Sequence, residues 1–90
     1  MNNDSVEVLK VYSNGDKHWF LNGELHRTDG PAVERYNGDR EWYLNGLYHR
    51  TDGPAVEGAD GSKSWWLNGK EIDEFIFWFT TLERQAAHEE

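Results

Sequence analysis

Two short runs of the chain each hold an imidazole, a guanidinium and a carboxylate within four residues: His26-Arg27-Thr28-Asp29 and His49-Arg50-Thr51-Asp52. A histidine close to a carboxylate can serve as an acid/base couple, because the imidazole exchanges its proton near neutrality and the acid can orient the ring. The same pair can ligate a metal. Both runs, however, sit inside a longer identity, since His26 to Glu34 returns unchanged as His49 to Glu57 at an offset of 23 residues. A catalytic centre reserves its nucleophile or metal for one place, whereas side chains that recur with the period of a fold serve the fold. Asp29 and Asp52 precede glycine and are suited to bond local turn backbone. Arg27 and Arg50 can bridge to carbonyls or acids of the adjoining unit. The runs are therefore assigned to architecture or binding, with no catalytic residue, no metal ligand and no cofactor.

The elements that must position these groups are legible from punctuation and period. Val6 to Tyr12 alternates as a strand, and Asn14-Gly15-Asp16 supplies a tight turn. Lys17 to Leu21 forms the next strand. Asn22-Gly23 turns the chain back into Glu24–Arg27, and Thr28-Asp29-Gly30-Pro31 interrupts it before Ala32–Tyr36 resumes extended structure. The cycle restarts at Asn37-Gly38-Asp39. Trp19-Phe20-Leu21-Asn22-Gly23 is matched by Trp42-Tyr43-Leu44-Asn45-Gly46 and again by Trp65-Trp66-Leu67-Asn68-Gly69. The third unit reads Ile72-Asp73 where His-Arg is due, and an apolar helical pattern follows to Ala87 with Asp73 as its cap. Phe75, Ile76, Phe79, Leu82 and Ala86 are expected to face the sheet as a lid, with Trp78 widening the stripe and Phe77 beside it. The expected fold is mainly β with one C-terminal α-helix. It is an antiparallel meander of about six or seven short strands in repeated hairpins, capped by a helix packed on one sheet face. Residues 1–90 make a single domain, with the repeated-hairpin sheet at 6–69 and the capping helix at 72–87. Met1–Ser5 and the tail from Ala86 are expected to fray.

Composition limits what such a domain can do. Ninety residues leave little stability to spare, and five Trp, four Tyr and four Phe supply the apolar area. The absence of cysteine rules out disulfides and thiolate metal sites. The polar start has neither the basic nor the apolar segment of a secretory leader, and no apolar run is long enough to span a membrane, so the expected location is cytoplasmic. A formal charge of −8 opposes contact with phosphate backbones and anionic lipid. Nucleic acid and membrane are thus not expected partners, and a protein partner should be basic or neutral.

Within each long strand two aromatic rows separate by alternation. Trp19, Trp42 and Trp65 share a face with Leu21, Leu44 and Leu67 and are expected in the core. Phe20, Tyr43 and Trp66 lie on the other face, bordered by His18, Glu41 and Ser64, where an apolar row invites a partner protein or a second copy of the chain. The acids Asp16, Glu34, Asp39, Glu41, Glu57 and Asp60 recur near turns and strand ends. On one face they would imitate a line of phosphates.

The period, the aromatic pair before Asn-Gly and the glycine-containing return resemble MORN and MORN-variant repeats over Asn14 to Gly69. The units look closest to small bacteriophage proteins reading Trp-Tyr-x-Asn-Gly-x-x-His-Arg-x-Asp-Gly-Pro-Ala, as Trp42 to Ala55 does. The resemblance implies a scaffold or protein-binding surface, acting in the host cytoplasm if phage-encoded. The leading expectation is a non-enzymatic protein-binding module, working through Phe20, Tyr43 and Trp66 together with His26, Arg27, Asp29, His49, Arg50, Asp52, Glu34 and Glu57, and able to form a homodimer. The alternative is an acidic, DNA-mimic-like inhibitor of a host defence or nucleic-acid-processing enzyme.

Overall fold

A computed structural model describes the backbone of residues 6–88 and the side chains through Thr81, so the expectations for Met1–Ser5, the Leu82 and Ala86 side chains and Glu89–Glu90 fall outside the described residues, while the helix runs on through Ala86 to His88 where fraying was expected. The chain is mainly β, a meander of antiparallel hairpins with one C-terminal helix on the sheet. The elements are β1 (Glu7–Val11), β2 (Lys17–Leu21), β3 (Glu24–Leu25), β4 (Val33–Glu34), β5 (Arg40–Glu41), β6 (Tyr43–Leu44), β7 (Leu47–Tyr48), β8 (Val56–Glu57), β9 (Lys63–Leu67), β10 (Lys70–Ile72) and α1 (Glu74–His88). The main sheet runs β1-β2-β4-β5-β8-β9-β10 with β3 also on β2, and β6 pairs with β7.

More strands form than the six or seven expected, and the reason is the Thr-Asp-Gly-Pro interruption. Between β2 and the β5–β6 segment lies one broken antiparallel strand. Its first piece, β3, pairs with the end of β2, and its second piece, β4, pairs Glu34 with Lys17 and Val33 with His18. Trp19 straddles the break, its N–H donating to the Ala32 carbonyl at 2.8 Å and its carbonyl accepting from His26 N–H at 3.0 Å. Trp42 does the same with Ala55 and His49 at 2.7 and 3.0 Å. Residues between the two contacts have no ladder to join and must loop out.

The turns are made by Asn-Gly pairs that accept two successive positive φ angles, 53° and 83° at Asn22 and Gly23, and 53° and 81° at Asn45 and Gly46. Short polar bonds then join each unit to the next. His26 Nδ1 accepts from Asn45 N–H and His49 Nδ1 from Asn68 N–H, both at 2.9 Å. Asp16 accepts from Tyr36 N–H at 2.8 Å and Asp39 from Ala59 N–H at 2.7 Å. Register is therefore held by side chains that reach exactly one unit along, as a solenoid requires of nearest neighbours.

The molecule is thin, 44 × 43 × 19 Å. A single sheet without a second full layer encloses little, and among the described residues only Ala32, Val33, Ala55 and Phe77 form a fully buried apolar core. The expected core row of Trp19, Trp42 and Trp65 is half-buried instead.

The helix begins where foreseen, with Asp73 Oδ1 accepting from Phe75 N–H at 2.9 Å. Its orientation is not as foreseen. Phe77 is the inward residue, fully buried, and α1 packs against β9. Phe75, Ile76 and Phe79, expected to form the lid, are 74%, 50% and 52% exposed, and Trp78 is 39% exposed. The run Phe75-Ile76-Phe77-Trp78-Phe79 covers more than one full helical turn, so one narrow sheet can accept only part of it. Replacing the cap, Asp73→Ala, is expected to cost about 1 kcal/mol in a urea melt, with reduced helical ellipticity. An unchanged melt would mean that Phe77 alone seats the helix.

Candidate functional site

The nine-residue phrase builds a guanidinium clamp. Arg27 Cζ lies 3.8 Å from the centroid of a Trp19 ring, and Arg50 Cζ lies 3.8 Å from that of Trp42. The opposite face of each guanidinium meets glycine: a Cβ on Gly30 would fall 3.1 Å from Arg27 Cζ, and one on Gly53 would fall 2.8 Å from Arg50 Cζ. In the plane, Arg27 donates to Asp29 at 2.9 Å, to the Pro31 carbonyl at 3.1 Å and to Glu34 at 3.2 Å. Arg50 repeats the set with Asp52, Pro54 and Glu57 at 2.9, 3.0 and 3.0 Å. A planar cation with forked donors can be stacked and bonded at once, which an ammonium cannot match. The partners lie in the arginine's own unit, not the adjoining one, because the loop curls back over its own tryptophan.

The imidazoles of His26 and His49 use Nδ1 to receive the next unit's turn. The two acids keep side chains 83% exposed but are ion-paired to their arginines. A shallow groove of about 510 Å³ lies between the successive loops, lined in part by Asp29, Trp42, His49 and Asp52. Among the described residues no cluster of three or more His, Asp or Glu is placed to hold a metal.

The second aromatic row, read as a surface for a partner protein or a second copy, is half-buried within the chain and in part bonded to its neighbours. Phe20, Tyr43 and Trp66 are all half-buried. Tyr48 lies between two of them, its ring centroid 4.7 Å from Tyr43 and 4.9 Å from Trp66. The bordering residues turn out to be partners: the Tyr43 hydroxyl donates to Glu41 at 3.1 Å, and Trp66 Nε1 donates to Ser64 at 2.8 Å. At the same place in the first unit, Phe20 has no polar tip and sits 6.1 Å from the His18 ring. Burial above all, then hydrogen bonding with Tyr48 and the nearby Glu41 carboxylate, push the Tyr43 phenol far above its ordinary range.

The acids read as a phosphate-like line are also committed internally. Glu34 and Glu57 bind the clamp arginines, and Glu57 also lies 3.7 Å from Arg40. Glu41 takes Arg35 at 3.1 Å, and Asp16 lies 3.8 Å from the same guanidinium. Asp39 receives the Ala59 amide, and Asp60 receives Ser62 N–H at 2.9 Å, an interaction that holds its carboxyl below the usual range.

Unpaired apolar surface is found elsewhere, at the two ends of the sheet. At one end Val6, Val8, Leu9 and Val11 of the first strand are 49–63% exposed. At the other stand Phe75, Ile76, Trp78 and Phe79, with the rings of Phe75 and Phe79 nearly parallel at 7° and 6.3 Å apart. Neither group was singled out from sequence as a site. The signal was the unbroken five-residue apolar run in α1, too wide for one contact face. No helix is long and apolar enough to cross a membrane among the described residues. No family model matches the chain, and neither a curated protein nor a solved structure shows significant similarity to it.

Two outcomes follow from the clamp and the row. Gly53→Ala is expected to destabilise by about 1–3 kcal/mol through overpacking, and Gly30→Ala by less, because its added Cβ has more room. Stabilisation by both in a denaturant melt would mean the guanidinium is not confined. For Tyr43, the folded chain retains a proton that the unfolded chain releases near its ordinary value of 10.0. Stability should therefore fall as pH rises above about 10, and Tyr43→Phe should flatten that slope.

Proposed function

We propose that the chain is a non-enzymatic protein-binding module in which the repeat sheet is a rigid carrier and α1 presents the contact face. The observation that carries this reading is the outward set Phe75, Ile76, Trp78 and Phe79, large apolar side chains on adjoining turns of one helix that the sheet leaves uncovered. Such a face enters an apolar groove as an amphipathic helix does, with residues one turn apart as anchors. Aromatic anchors suit this role because each ring offers large area at low entropic cost.

The chemistry of the partner follows from charge. The helix opens with Asp73 and Glu74, and the whole chain carries −8, so a groove with a basic rim is the complementary surface. The guanidinium, the carboxylate and the imidazole Nδ1 of both His-Arg-Thr-Asp runs are engaged in holding the fold, which supports a role without catalysis. The internal pairing of Glu34, Glu41 and Glu57 lends the acidic-mimic alternative no support. The MORN-like, phage-type affiliation rests on the repeated phrases themselves and fits a scaffold built of equal hairpins.

The test is capture by the immobilised full chain from a lysate, washed at low and at high salt. A partner retained through the high-salt wash should be lost with the pair Phe75→Ser and Phe79→Ser and kept with Tyr43→Phe. Equal retention by the helix variant would remove α1 from the interface and overturn the reading.

A further inference from the structure

The first strand ends the sheet differently from every other part of the ladder. Where each interior gap is filled by a broken strand, β1 is continuous over five residues and pairs along its whole length with β2, from Glu7 opposite Leu21 to Val11 opposite Lys17. All five of its residues are exposed, with apolar side chains on both faces: Leu9 and Val11 on one, Val8 on the other. Proteins usually guard such an edge with proline, a bulge, a very short strand, outward charge or a covering element. The opposite edge is guarded by length and cover, since β10 is three residues long and runs into α1. On β1 the one lysine, Lys10, lies over its own neighbour, with Nζ 5.0 Å from the Tyr12 ring centroid.

The direction of the free backbone groups can be worked out. Tyr12 N–H donates to Asp16 across the turn, so Tyr12 and, by antiparallel alternation, Lys10 and Val8 face β2. Trp19, opposite Leu9, spends its own N–H and carbonyl on Ala32 and His26 on its other side. Glu7, Leu9 and Val11 therefore turn their N–H and C=O groups outward. We propose that this edge pairs with the β1 edge of a second copy, antiparallel about a two-fold axis at Leu9, so that the sheets of two chains become one.

This register is the one in which the five-residue strands overlap completely, and it is self-complementary. Leu9 meets Leu9 of the second copy and Glu7 meets Val11, each a pair of outward-facing residues, which yields about six backbone hydrogen bonds. On the other row Val8 meets Lys10. No like charges are set opposite one another, whereas a centre at Lys10 would juxtapose two ammonium groups and one at Glu7 two carboxylates. The interface continues the ladder already present from β1 to β10 and needs no new geometry. It is independent of the role proposed for α1, which lies at the far end of the sheet order.

The test is sedimentation of the full chain over a concentration series, with amide exchange on the same samples. The wild type should approach twice the 10.5 kDa chain mass as concentration rises, with Leu9 and Val11 amides gaining protection in step. Leu9→Pro removes one outward N–H without touching a bond to β2, and should leave a folded monomer. Leu9→Lys, which places two ammonium groups at the axis, should do the same if the proline variant fails to fold. A monomeric wild type at high concentration overturns the proposal. So does a dimer that survives Leu9→Lys, or one that is lost with Phe75→Ser and Phe79→Ser but kept with Leu9→Lys.

Discussion

The stacking of Arg27 on Trp19, and of Arg50 on Trp42, is the interaction on which the rest of the chain depends. A sheet only 19 Å thick cannot hide a guanidinium in a core, so the charge is balanced at the surface of a ring and in the plane of two carboxylates. The loop must curl back for its carbonyl and acids to arrive there, and it can do so only where glycine leaves room for the guanidinium. Thus one cation dictates the tryptophan beneath it, the glycine above it, and the aspartate and glutamate beside it. Within the nine-residue identity Arg, Asp, Gly, Pro and Glu are residues this geometry needs, and the preceding strand supplies the tryptophan. Removing one partner would leave a half-buried charge short of bonds, which costs more than the net value of any single contact.

The third unit shows what happens when the cation is withheld. Position 73 is the counterpart of Arg27 and Arg50, and there the side chain is a carboxylate that caps a helix instead of a guanidinium that closes a loop. Trp65, left without its stacking cation, buries Nε1 with no hydrogen-bond partner among the described residues. The change from His-Arg to Ile72-Asp73, with no Thr-Asp-Gly-Pro after it, ends the repeat and starts α1. The same chemical change explains why the apolar run after it lies at the molecular end, with one ring turned in and the others out.

Much of this was legible in the sequence because the repeat is nearly perfect. Asn-Gly marks each turn, with both residues at positive φ at Asn22-Gly23, Asn45-Gly46 and Asn68-Gly69, whereas at Asn14-Gly15 and Asn37-Gly38 only the glycine is. Equal spacing likewise marks His26 and Asp29 as recurring with the fold, and both are bonded within it. What spacing does not carry is which of two faces a ring will find covered. For Phe20, Tyr43 and Trp66 alternation gives the shared face but not that Tyr48 slots between the last two, or that Glu41 and Ser64 are their hydrogen-bond partners. The helix failed for the complementary reason. A 3.6-residue period identifies a face, but a run apolar on every side has no preferred one, and the choice of Phe77 fell to the packing on β9.

A chain with so small a core must keep its repeats in register by other means. Side chains that reach one unit along do this at His26, His49, Asp16 and Asp39, each bonding a backbone amide in the next turn. Such bonds are local and directional, so the middle of the sheet is specified almost entirely by polar geometry. Much of the uncovered apolar area stands at the ends, on β1 and on α1, with Tyr36 and Leu47 exposed between them. Both ends interrupt the repeat: β1 is unbroken where a broken strand is due, and α1 replaces the third clamp. An element that only sealed the sheet would turn polar groups outward, as terminal repeats ordinarily do. These two turn valine, leucine, phenylalanine and tryptophan outward. The departures from the period, more than the period itself, are where this protein leaves most of its large apolar side chains uncovered.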